Sequence, residues 1–266
     1  MNWGKMKTLF IYLFVALNAV LLTFYIYTVQ KNKTEIVQEK EIIERSMKND
    51  NITVEENATK RDNLGYVNVT ISDLKDIRKE DSGLKYEVEN VDKTSALKVS
   101  SENAITNVNK GSYRAELDSF LLEKMKLSAN YIFSSYNSSK NEVIFEQQID
   151  SFRVFSNKNA RIVFSVESNG DIKNFTLTSV SNIRKDKNEA LVPSSQAINR
   201  LYHEDLIPKN CRVRTTLGYY TYISQTENQV LIPTWNVEIS DKDGQISNYY
   251  VDAINLNVLN RKGHNS

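Results

Sequence analysis

The nine residues Leu231-Ile232-Pro233-Thr234-Trp235-Asn236-Val237-Glu238-Ile239 decide the fold class of this chain. Leu231, Pro233, Trp235, Val237 and Ile239 point one way. Ile232, Thr234, Asn236 and Glu238 point the other. That period of two belongs to a strand with one face buried and one face wet. Proline cannot donate to a sheet ladder, so Pro233 predicts an edge strand or a strand that begins near Thr234.

Similar runs lie on both sides of it. Cys211–Ser224 precedes it, Ile246–Val258 follows it, and Asp243-Gly244 supplies a hairpin turn. Upstream, Ala197, Ile198, Leu201 and Tyr202 share one helical face. Capping chemistry from Pro193, Ser194 and Ser195 is expected to open that helix, and Pro208 to close it. An earlier stretch repeats the order. Leu117, Phe120, Leu121 and Met125 follow helical spacing. Strand-like runs then cover Asn130–Tyr136, Glu142–Ile149, Ala160–Glu167 and Ile172–Val180. Asn169-Gly170 forms a hairpin signal between the last two. The expected fold class is therefore α+β, with two tandem helix-plus-antiparallel-sheet units at residues 111–184 and 185–266.

Residues 30–110 are rich in charge, Asn, Ser and Thr, and read as a stalk or linker. Ile36, Ile43 and Met47 lie near one helical face, which allows a helical start to that stalk. A short strand is expected near Tyr66–Ile71. Ahead of the stalk, Thr8–Val29 runs 22 residues without a charge. A helix of that length spans about 33 Å, enough to cross a bilayer. The run is too long for a signal peptide and ends without a small-x-small cleavage site. Residues 1–7 are then a cytoplasmic tail and 8–29 a transmembrane helix. Lys5 and Lys7 are balanced by Lys31 and Lys33, so charge alone does not orient the span. The large hydrophilic remainder predicts a signal anchor, with the N-terminus cytoplasmic and the bulk of the chain outside.

Composition narrows the function. The chain has 266 residues, 34 Lys+Arg against 33 Asp+Glu, one Cys and two His. Such balance is not the basic footprint of a nucleic-acid binder. Cys211 with His203 invites a thiol-nucleophile reading, but the context LIPKNCRVRTT carries no transpeptidase signature. His203-Glu204-Asp205 are adjacent on a helix and diverge, which disfavours a metal site. No catalytic residue, metal ligand or cofactor is expected. Trp235, Tyr219 and Tyr220 read as core, with a groove for a peptide or cell-wall fragment as the other reading. Within the span, Asn18 is the one amide. With Ile11, Phe14, Val15, Leu21, Leu22 and Tyr25 it forms a face suited to contact another membrane helix.

Several stretches, taken in order, resemble one family. They are MNWGKMKTLFIYLFVALNAVLL at the start, AINRLY at Ala197–Tyr202, LGYYTYISQTENQVLIPTWNVEI at Leu217–Ile239 and NYYVDAINLNVLN at Asn248–Asn260. These resemble the YycI (WalI) family over about residues 1–30 and 190–260. The last unit is also similar to PepSY-type modules, with Trp235 in the apolar strand and Tyr250, Val251, Asp252 and Ala253 in the closing strand. The usual glycine after the Asp is missing, and Asn255 and Asn257 stand there instead. The resemblance implies a non-catalytic, membrane-anchored regulator of the sensor histidine kinase WalK (YycG) in low-GC Gram-positive bacteria. It implies YycH as a partner in a membrane complex, and cell-wall hydrolase expression, through the response regulator WalR, as the output.

Overall fold

The computed structural model describes residues 3–55, 61–75, 83–91, 94–125, 127, 130–221, 227–260 and 264–265. The chain divides into two compact units, Met1–Thr53 and Val54–Ser266.

The first unit is one helix, α1, Trp3–Asn49. Its 47 residues correspond to about 70 Å of length. The apolar segment Met6–Thr28 inside it has a mean hydropathy of 2.3 and no buried share. The helix does not stop where the apolar run stops. Good helix formers continue it through Glu39, Lys40, Glu41 and Glu44, so the start of the expected stalk is helical. Ile36 and Val37 lie outside the residues whose side chains are described. The helix ends in a Schellman turn: Ile52 N–H donates to Met47 O at 2.9 Å and Asn51 N–H to Lys48 O at 3.1 Å. Asn51 takes the left-handed conformation, φ 57°, that this turn needs.

The second unit is built on one large sheet. Its principal strands are β1 Val67–Ile71, β2 Leu84–Val91, β3 Thr94–Ser101, β4 Asn130–Asn137, β5 Glu142–Ile149 and β6 Phe152–Phe155. They continue with β7 Arg161–Val166, β8 Asp171–Leu177, β9 Val180–Lys185, β10 Arg212–Tyr220, β11 Asn228–Ser240 and β12 Ile246–Asp252. The order along the sheet is β9-β1-β11-β10-β6-β5-β7-β8-β3-β2, with β12 also on β11 and β4 also on β5. Helices α2, Tyr113–Phe120, and α3, Ser194–His203, complete the mixed α+β fold.

Residues 63–110 differ from the linker reading. β2 and β3 form an antiparallel pair that extends β8, and β1 lies between β9 and β11. The sparse apolar residues there are one side of a half-exposed ladder. Leu84, Tyr86 and Val88 pack on the core while Lys85, Glu87 and Glu89 face water.

The first helix-plus-sheet set matches the expected strands closely. Leu117, Leu121 and Met125 close over Val143, Phe145, Ile162, Phe164, Phe175 and Leu177. Leu121–Met125 is a π-helical turn continuing α2. Ring contacts of 5.6 Å between Phe145 and Phe164 and 5.0 Å between Phe164 and Phe175 run through this core. Burying such side chains contributes about 1.5–3 kcal/mol each before entropy is counted.

In the second set, α3 packs through Ala197, Ile198 and Leu201. Its ends differ from expectation. Pro193 is the N-cap and supplies its backbone carbonyl to Gln196 N–H at 2.9 Å, while no side chain caps the helix. Pro208 is not the terminator. Leu206 N–H donates to Leu201 O and Asp205 N–H to Tyr202 O, with Asp205 at φ 55°, so a second Schellman turn ends the helix first. Pro233 lies inside β11, paired with Tyr219, and neither on an edge nor at a start. Its carbonyl accepts from Ala253 N–H at 2.8 Å, so its missing donor points to the side where β11 changes partner from β1 to β12. No ladder bond is lost there.

The two sets are joined by one short parallel pairing, Gly218↔Arg153, Tyr219↔Val154 and Tyr220↔Phe155. A Cβ on Gly218 would lie 2.5 Å from Arg153 O and 2.5 Å from the Phe155 ring. Glycine is required by this approach. Gly218→Ala is expected to destabilise the second unit by about 2–3 kcal/mol through overpacking. Gly111→Ala, with nothing within 4 Å of the new methyl, should change stability by less than about 0.5 kcal/mol. Urea midpoints of the two variants check the contrast.

Candidate functional site

Two regions carry the functional candidates. The first is the span. Ile11, Phe14, Val15, Asn18, Leu21, Leu22 and Tyr25 are all exposed on α1. Asn18 Nδ2 donates to Phe14 O at 2.8 Å, one turn back. Thr23 and Thr28 bond to Ala19 and Phe24 carbonyls in the same way. The polar groups of this helix segment are thus partly satisfied within the helix. The amide of Asn18 still presents its Oδ1 as an acceptor.

The second region lies on the sheet face opposite the α2 core. Strand alternation puts Glu146 of β5, Arg153 and Phe155 of β6, and Arg161 of β7 on that face. Asn236 and Glu238 of β11 and Tyr250 of β12 reach the same place from the other set. Together they line a polar cleft of about 210 Å³ that straddles the parallel join. Ser134, Ser156 and Lys140 complete its wall.

Glu146 is the centre of this arrangement and is 7% exposed. Its Oε1 accepts Ser156 N–H at 2.7 Å and its Oε2 accepts Ser134 Oγ–H at 3.1 Å. Arg153 Nε stands 3.7 Å from Oε2, while Arg153 Nη2 donates to Phe133 O at 3.0 Å. Burial pushes the Glu146 carboxyl above the ordinary glutamate range, against the pull of Arg153 and the hydrogen bonds. Tyr250 is stacked on Tyr220 at 4.6 Å and on Phe155 at 5.6 Å, and its hydroxyl lies 2.7 Å from Ser156 Oγ. Burial, with Glu146 nearby, raises the Tyr250 phenol well above its usual value. Asn236 Oδ1 is buried without a hydrogen-bond partner. An unmet buried acceptor costs about 1–3 kcal/mol.

The other sequence candidates are structural. Trp235 is buried, and its Nε1–H donates to Val192 O at 2.8 Å, tying the sheet to the entry of α3. Asp252 caps the turn after β12, accepting Ile254 N–H at 2.8 Å and Asn255 N–H at 3.0 Å. The left-handed residue in that turn is Leu256, φ 58°, and neither Asn255 nor Asn257. Cys211 is buried, and burial together with Asp241 raises its thiol. That is the opposite of an activated nucleophile. Tyr219 is core, packed edge-on to Phe152 at 6.2 Å. Among the described residues no three His, Cys, Asp or Glu side chains gather as metal ligands.

Of the residues singled out from sequence, only Tyr250 reaches the cleft. Glu146, Arg153, Arg161 and Asn236 were not singled out. Glu146 stands at an outward position of an alternating strand, where a charged residue normally meets water. Its burial comes with Ser156, Arg153 and Tyr250, which gather at the same cleft.

A family model described as YycI protein matches residues 30–254. No curated protein matches the chain. Among solved structures, an uncharacterized protein from Eubacterium rectale is similar with TM-score 0.48 and 9% identity, covering 79% of this chain and 90% of that one. The Bacillus megaterium YpeB C-terminal domain is similar with TM-score 0.41 and 12% identity, covering 86% of this chain and 96% of that one.

The raised Glu146 carboxyl has a measurable consequence. The folded state holds this proton more tightly than the unfolded chain does. Its contribution to stability is therefore full below the ordinary glutamate value and is lost as pH rises through the folded value. Glu146→Gln should remove that slope. The expected result is a wild-type-minus-variant difference in thermal midpoint that falls as pH rises above the ordinary glutamate range and levels off once the folded carboxyl is ionised. A flat difference curve would mean that folding does not shift the Glu146 carboxyl.

Proposed function

The chain belongs to the YycI family, which implies a role in regulating the WalK (YycG) sensor kinase system, and from that premise we propose that it acts by contact within the membrane, without catalysis. In this reading Met6–Thr28 is an uncleaved single-pass anchor, the N-terminus is cytoplasmic and the second unit is extracytoplasmic. YycH is the partner that shares the complex, and the kinase helices are what the span touches.

The observation that carries this reading is the bare apolar span. Its 23 residues have no buried share. An apolar surface of that size needs lipid or other membrane helices around it. Burial against lipid gives helices little reason to associate, so specificity falls to close packing and polar contacts. The face through Ile11, Phe14, Val15, Leu21, Leu22 and Tyr25 offers the packing, and Asn18 Oδ1 offers the acceptor. A regulator of a two-state kinase must bind one state better than the other. A single cross-helix hydrogen bond made in one state supplies about 0.6–2 kcal/mol, roughly a 3- to 30-fold bias.

Asn18→Leu is expected to leave the second unit folded and to weaken co-purification with the kinase from native membranes by roughly 3- to 30-fold. Undiminished co-purification removes Asn18 from the contact. Cysteine crosslinking scanned along residues 10–27 should peak with helical period on the Asn18 face. A uniform profile would place recognition in the second unit instead.

A further inference from the structure

The outer strands of the large sheet are not protected alike. β9 carries a bulge between Ser181 and Arg184, with Asn182 left-handed at φ 52°. β4 carries one between Phe133 and Ser135. β12 is covered by His264–Asn265. Bulges and covers are the usual protection of a sheet edge, because an open row of N–H and C=O groups accepts another strand. β2 has neither. It pairs with β3 along all 8 of its residues, from Leu84↔Ser101 to Val91↔Thr94, with no shift of register. Among the described residues no strand lies on its other side. Leu84, Tyr86 and Val88 on its core face are only half-buried.

The charges on β2 select the strand that fits. Lys85, Glu87 and Glu89 alternate with the apolar residues and are exposed. Two copies of β2 meeting antiparallel about a two-fold axis keep both core faces on one side only when residues of the same face stand opposite. Centring that pairing on Lys85 sets Lys85 against itself. Centring it on Glu87 sets Glu87 against itself, and centring it on Val88 sets Glu87 against Glu89. Centring it on Tyr86 sets Lys85 against Glu87 twice and Leu84 against Val88 twice, with no like charges opposed. Opposite-charge and apolar cross-strand pairs stabilise a sheet, and like charges directly opposite destabilise it. Within the chain Lys85 Nζ lies 3.6 Å from Glu102, an exposed pair whose exchange for a nearer carboxylate costs little. A lysine on an edge normally keeps strands apart. Here a second copy brings the carboxylate that neutralises it. We propose that β2 pairs antiparallel with β2 of a second copy of this chain, centred on Tyr86, so that the sheet continues across a symmetric dimer. This goes beyond regulation through the span and does not depend on it.

The test uses the full chain. Copies carrying Lys85→Cys and copies carrying Glu87→Cys, with different tags, are co-expressed and oxidised in native membranes; Cys211 is buried and does not compete. In the Tyr86-centred register the two positions are directly opposite, at about 4.5–5.5 Å, while like positions are diagonal at about 7–8 Å. The mixed disulfide should therefore exceed both same-residue disulfides. In sedimentation of the purified chain, Lys85→Glu should weaken dimerisation by about tenfold, and Lys85→Glu combined with Glu87→Lys should restore it. If the charge variants fold poorly, the cysteine pair decides. The proposal is overturned if the mixed disulfide does not exceed the same-residue ones, or if folded Lys85→Glu dimerises as the parent chain does. A monomeric parent chain overturns it as well. None of these outcomes alters the crosslinking profile along residues 10–27, so the two readings are separable.

Discussion

The second unit depends on one close approach of backbone to backbone. Three residues of β6 pair in parallel with three of β10, and this pairing makes two antiparallel sheets into one. Parallel pairs need long crossovers. Here the crossover contains β7, β8, β9 and α3, so the contact spans most of the fold in sequence. Gly218 permits it, because any side chain there meets Arg153 O and the Phe155 ring. The pairing fixes Arg153 and Phe155 beneath the cleft and brings Tyr250 over them from the other set.

That geometry explains why a carboxylate is buried on a face that should be wet. β5 alternates correctly, with Val143 and Phe145 inward and Ile144 and Glu146 outward. The join then brings Arg153, Ser156 and the Tyr250 stack to the outward face near Glu146. Removing a charge from water costs several kcal/mol unless hydrogen bonds and a counter-charge answer it. Ser134, Ser156 and Arg153 answer it in part, and the remaining cost appears as the upward shift of the carboxyl. The unmet Asn236 acceptor is a second cost at the same junction. A purely structural join needs neither, since apolar residues of like size would pack there without either cost.

How much of this was legible follows from what each element depends on. The strands 130–137, 142–149, 161–166 and 171–177 declare themselves, because alternation and Asn169-Gly170 are local signals. β6 does not. Its four residues are too few to show a period, and the two-residue turn before it uses Asp150 at φ 50° and Ser151 at φ 69°. That is the geometry of a tight hairpin turn without the glycine that normally announces one. β2 and β3 were hidden differently. They alternate, but with Lys and Glu on every second position and only modest apolar residues between, so the charge reads as a stalk. The cleft could not be read at all, because its residues come from six strands on the two sides of the one pairing that the sequence conceals. The span, by contrast, is contiguous and was fully legible as an apolar helix.

The two regions therefore place opposite demands on their surroundings. In the proposed membrane reading, the plentiful apolar surface of the span carries little information, since lipid satisfies it as well as a partner does. A single amide there weighs more than the aliphatic residues around it. In the cleft, polar groups are plentiful, and most are already committed to one another. Arg153 and Arg161 both act on the Glu146 carboxyl, and the buried Asn236 Oδ1 is left without a partner. In both places a polar group stands where the fold leaves it only partly satisfied. The chain carries the cost of each such group in its own stability.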